Sequence, residues 1–69
     1  MIYINKDKAA AMTTEELFAE RATDVKALHS STPWATMTYS RQFEIECEIQ
    51  TIENELQDRG AIEFKDRLF

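Results

Sequence analysis

Residues 38–59, TYSRQFEIECEIQTIENELQDR, decide the fold, because no Gly or Pro interrupts them and their apolar residues recur at helical spacing. At about 100° per residue, Ile45, Ile49, Ile52 and Leu56 fall within roughly 60° of one another. Their alternating spacing makes a coiled-coil-like seam, which requires a partner. A second and shorter row, Tyr39, Phe43 and Cys47, points roughly 120–160° away and runs out into Gln50, Glu53 and Gln57. One partner helix cannot cover both rows. The expected fold is therefore all-α: an antiparallel helical hairpin with short N- and C-terminal extensions that dimerises into a four-helix arrangement. Tyr39, Phe43, Ile45, Ile49, Ile52 and Leu56 are the expected dimer-interface residues.

The first helix of that hairpin has a clear start. Thr13 is followed three residues later by Glu16, the capping box in which each side chain satisfies the other residue's free backbone N–H. Met12 before the cap and Leu17 after it are placed to form a hydrophobic staple. The helix is expected from Thr14 to about Ser30, with Asp7 as the cap of an alternative earlier start that would take in the three alanines before Met12. Asn5–Lys8 otherwise reads as a polar turn after a β-prone Met1–Ile4. On the helix, Leu17, Phe18, Ala22, Val25 and Leu28 occupy a sector of about 140°, and Glu16, Glu20, Asp24 and Lys26 are assigned to the remaining surface.

Arg21 lies on the apolar side between Leu17 and Val25. Its expected role is to lay its methylenes on the core and send the guanidinium to a helix-two carboxylate such as Glu46 or Glu53. The sharper alternative makes it an anchor for a partner's carboxylate or phosphate. His29 reads as a helix-end residue. In the connection Ser30–Trp34, Thr32 with Pro33 is a standard helix start, and Thr36 or Thr38 competes with it, so the second helix begins at Pro33 or as late as Thr38. Trp34 is either a plug at the hairpin end or, with Arg21, a partner-binding anchor.

Helix two is rich in acids. Glu44, Glu48 and Glu55 are assigned to a solvated outer face, with Glu46 and Glu53 flanking the seam. Gly60 is placed to end the helix. Beyond it, Ile62 and Phe64 alternate like a strand, whereas Phe64 with Leu68 and Glu63 with Arg67 make helical pairs. Either the helix continues, aligning Ala61, Phe64 and Leu68 with Tyr39 and Phe43, or a strand pairs with Ile2–Ile4.

The chain has 69 residues, a size at which about 60% of the unfolded surface is buried on folding. One small helical domain over residues 1–69 is the most it can form, and a single monomer of this size is marginal. Cys47 is alone, which rules out an internal disulfide and fits a reducing compartment. His29 and Cys47 are the only soft ligands and sit on different elements, with no second ligand at helical spacing, so no metal site is expected. With 43% apolar and 30% charged residues the composition is that of a folded, water-soluble chain. No apolar run reaches the roughly 18 residues of a membrane span. The opening MIYINKDKAAAM has neither a basic start nor a long apolar core, and the expected location is the cytoplasm.

Thirteen acidic against eight basic residues give a net charge of −5, which opposes the electrostatic attraction behind non-specific nucleic-acid binding. Lys6, Lys8, Arg21, Lys26, Arg41, Arg59, Lys65 and Arg67 are scattered along the chain instead of forming a patch. A reader of DNA, or an acidic mimic of it built from helix two, is the alternative function. No catalytic, cofactor or nucleotide motif is present, so the expectation is a non-enzymatic, acidic interaction or regulatory protein with no cofactor and a homodimeric state.

The overall run of the chain, MIYINKDKAAAMTTEEL followed by a Trp-bearing connection and the Glu-rich EIECEIQTIENEL, resembles small accessory proteins of lambda-like phages and prophages. That resemblance implies a dispensable regulator or host-interaction protein of the early region, often dimeric and helical, that binds and modulates a host or phage protein. It carries no functional residue over to this chain.

Overall fold

A computed structural model describes residues 4–29 and 39–68. Trp34 and both expected starts of the second hairpin helix, Pro33 and Thr38, lie outside them, as do Ile2 and Tyr3. The described residues are all-helical: α1 (Lys6–Ala11), α2 (Thr14–His29), α3 (Tyr39–Asp58) and a 3₁₀ turn at Phe64–Asp66. The two long helices pack on each other, and α1 packs on α3.

The turn reading of Asn5–Lys8 is corrected: these residues open a helix. Asn5 is its cap, in extended backbone, with its side-chain oxygen accepting the Lys8 N–H at 2.8 Å. The alanines that follow have the strongest helix propensity of any residue, and Ala9 is buried. What stops α1 from fusing with α2 is the next cap. Met12 is extended, the Thr13 N–H donates to Glu16 Oε1 at 2.9 Å, and the Glu16 N–H donates to Thr13 Oγ1 at 3.1 Å. The reciprocal pair is the expected capping box, and Met12 packs on the cluster that contains Leu17.

At the other end of α3 the helix terminates at Gly60, whose φ of +73° is in the left-handed region that glycine enters without a Cβ penalty. The Gly60 N–H reaches Gln57 O and the Ala61 N–H reaches Leu56 O, both at 2.9 Å, the two bonds of a Schellman motif. That geometry overturns a continued helix. Residues 61–68 form no strand either: Ile62 turns into the core, and Phe64 begins the 3₁₀ turn.

Ile4, Ala9, Leu17, Ile52, Leu56 and Ile62 make one cluster, and Ile45 and Ile49 are buried on the same side of α3. The seam read from the sequence is therefore covered within a single chain. Full burial of a Leu or Ile contributes roughly 1.5–3 kcal/mol, so burying these side chains favours folding substantially.

Arg59 ties the three helices together. Its guanidinium donates to Glu55 Oε1 at 2.9 Å, to Thr14 Oγ1 at 3.2 Å, and to the carbonyls of Ala9, Ala10 and Met12 at 3.2, 3.2 and 2.6 Å. Those carbonyls belong to the end of α1, where helical partners run out and a cation is favoured by the helix dipole.

Candidate functional site

Helical geometry explains which side chains face inward. On α3, Glu48 lies about 40° from Ile52 on one flank of the seam, and Glu53 lies about 40° from Ile49 on the other. Both are buried, Glu53 completely. On α2, Asp24 lies about 20° from Leu17 and is buried with it. Two assignments from the sequence are thus corrected: Glu48 is not on the solvated face of α3, and Asp24 is not on the polar side of α2. Each sits at the edge of an apolar stripe that the facing helix covers.

The two flanks solve burial in opposite ways. Glu53 meets a cation. Arg21 Nε donates to Glu53 Oε2 at 2.9 Å, with Nη2 2.7 Å away, so Arg21 takes one of the two carboxylates expected for it. The same oxygen accepts the Leu68 N–H at 2.8 Å, and Arg21 Nη2 also donates to Asp66 O at 2.7 Å. The pair therefore holds the C-terminal segment against α2 as well as joining α2 to α3. Arg67 adds a bond to Gln57 Oε1 at 2.9 Å.

On the other flank Glu48 meets a carboxyl. Burial, a hydrogen bond to Glu48, and the charges of Glu48 and Glu20 push the Asp24 carboxyl up to about 7, against a smaller opposing pull from Arg41. The Ile4 N–H approaches Glu48 Oε2 at 3.5 Å, the outer limit of a hydrogen bond.

By docking the C-terminal segment, Arg21 and Glu53 position Leu68 over α2. The apolar sector of α2 is wider than the stripe α3 covers, so Leu17 alone of its apolar residues is fully buried, while Val25 and Leu28 are half-buried and Phe18 and Ala22 exposed. The result is an open groove of two adjoining hollows. One, of about 520 Å³, is lined by Phe18, Ala22, Val25 and Leu68 with Arg21 and Lys26 at its edge. The second, of about 350 Å³, shares Val25 and Leu68 and adds Leu28, His29, Gln42 and Glu46.

The six residues expected at a dimer interface divide. Ile45, Ile49, Ile52 and Leu56 lie inside the chain, whereas Tyr39 and Phe43 are 84% and 57% exposed. Of the two candidate partner-binding residues, Arg21 is engaged by Glu53 and the Asp66 carbonyl, and Trp34 lies outside the described residues. His29 ends α2, and Cys47 is a half-buried free thiol. Leu68 was missed as a groove residue, since its position depends on a hydrogen bond to a side chain 15 residues away.

No family model matches the chain, and no curated protein or solved structure is significantly similar to it. No helix among the described residues is long and apolar enough to cross a membrane.

Proposed function

We propose that this chain is a non-enzymatic interaction module, an antiparallel α2–α3 hairpin that receives an apolar segment of a protein partner in the groove between Phe18, Val25, Leu28 and Leu68. The hairpin reading is supported by three contacts that step down α3 as they step up α2: Thr14 with Arg59, Arg21 with Glu53, and Asp24 with Glu48. The observation that carries the function is the groove itself. Its apolar side chains stay outside a core already filled by Leu17, Ile52, Leu56 and Ile62, so packing among the described residues does not account for them. The resemblance to accessory proteins of lambda-like phages makes a bacterial host or phage protein the partner to seek, in the cytoplasm.

The test is affinity capture from bacterial lysate at moderate salt with the wild-type chain and a Phe18→Asp variant of equal helicity. The reading requires a protein retained by the first and lost by the second. Recovery of the bait alone, or of the same proteins by both, overturns it.

Dimerisation belongs to the same reading, now confined to the row of Tyr39 and Phe43, because the seam is used within the chain. Recognition of duplex DNA is the weaker alternative: Arg21, Arg59 and Arg67 hold the fold together, and Lys65 and Arg41 lie beside Glu63 and Glu44 at 3.2 and 3.7 Å.

A further inference from the structure

Glu20 and Asp24 are one turn apart on α2, and Glu48 faces them from α3. One carboxylate oxygen from each lies within 4.8 Å of the others. Oxygens bound to one cation at about 2.1–2.4 Å are themselves at most about 4.2–4.8 Å apart, so a single ion spans such a cluster.

Acidic clusters are common, and proximity alone would carry nothing. The second observation is Asp24 Oδ2. It is buried, on a side chain whose residue is only 9% exposed, and no N–H or hydroxyl among the described residues donates to it; the carboxyl's neighbour is the acid Glu48. A buried carboxylate oxygen without a donor is costly and rare. Glu53 shows what this same helix pair does when a carboxylate is balanced from within: an arginine and a backbone N–H converge on it. Around Asp24 the chain supplies two more carboxyl groups, with Arg41 exerting a weaker pull.

We infer that Glu20, Asp24 and Glu48 form a binding site for one hard divalent cation, clasped between α2 and α3. The donors are all carboxylate oxygens, which suit magnesium, manganese or calcium and not the softer metals that prefer imidazole or thiolate. Three protein oxygens leave the remaining coordination positions to water, the usual arrangement for such ions. Glu20 is only partly buried and stands at the rim, giving a hydrated ion a way in. Bound there, the ion supplies the buried Asp24 carboxylate with a counter-charge and cross-links the two long helices near their middle, independently of the groove.

Isothermal titration of the full chain, stripped of metal and held near neutral pH, with Ca²⁺ and separately with Mn²⁺ tests this. One equivalent of at least one of these ions should bind and raise the melting temperature. Loss of supporting groups around metal ligands commonly costs 10–100-fold in affinity, so losing a ligand in Asp24→Asn or Glu48→Gln should weaken binding at least about tenfold. Glu63→Gln, which alters an exposed acid, should bind as the wild type does. Should the buried variants fail to fold by circular dichroism, Glu20→Gln at the rim decides: unchanged affinity there overturns the site. So does the absence of saturable binding of either ion at millimolar concentration, which would leave a proton-sharing acid pair and no metal site.

Discussion

Arg21 and Glu53 meet at 2.7 Å across α2 and α3, and the glutamate side chain has no exposure to solvent. The carboxylate would be very costly there without the guanidinium, because the interior cannot replace the water it loses. The same oxygen holds Leu68, so one ion pair sets both the packing of the long helices and the wall of the groove.

Removing the cation should therefore be severe. Arg21→Ala is expected to destabilise the chain by roughly 3–5 kcal/mol, the cost of leaving a buried charge unpaired. Arg21→Met combined with Glu53→Leu should recover most of that stability, since the apolar pair leaves no charge to solvate. Urea denaturation of the single and double variants gives the comparison. Equal losses in both would mean that the charge balance is not what matters at this position.

Asp24 predicts a pH dependence of opposite sign to that of a salt-bridged acid. Its carboxyl is raised from an ordinary 3.8 to about 7 by burial, by Glu48 and by Glu20, with Arg41 opposing. Between those values the folded chain holds more protons than the unfolded one, so the stability from this site is full below about pH 4 and is lost as pH rises through 7. Denaturation midpoints measured from pH 4 to 8 in metal-free buffer should fall less steeply in Asp24→Asn than in the wild type. Parallel curves would contradict it.

Gly60 offers a backbone test free of packing. A Cβ added there would meet nothing within 4 Å, yet φ is +73°. Gly60→Ala should cost about 1–2 kcal/mol, the penalty for an L-residue in the left-handed region, and Gly60→Asn should cost less. Thermal melts followed by circular dichroism would show whether that order holds.

The two rows of α3 predict two different failures. Ile49 is fully buried inside the chain, so Ile49→Asp should abolish helicity, because an unpaired carboxylate in the core costs several kcal/mol. Phe43 is exposed, so Phe43→Asp should keep the helical signal while shifting sedimentation equilibrium toward the 8.0 kDa monomer. A wild-type chain already monomeric at micromolar concentration would remove dimerisation from the proposal.

Much of this fold is local and so legible in the sequence: the Thr13–Glu16 box, the body of α2 and α3, the stop at Gly60, and the seam of Ile45, Ile49, Ile52 and Leu56. Each depends on residues within about a turn of one another, where helical geometry leaves few choices. Burial of the acids was decided otherwise. Glu48 and Glu53 stand symmetrically about the seam, and nothing within α3 distinguishes them. Tertiary packing sets Arg21 opposite one and Asp24 opposite the other, making the first a neutralised anchor and the second an acid cluster. The same holds for Ile62, Phe64 and Leu68, whose alternation fits helix or strand equally well. Their places were settled when Gly60 turned the chain and the buried Glu53 accepted the Leu68 N–H, because a short segment with no ladder of its own takes the conformation that distant partners can satisfy.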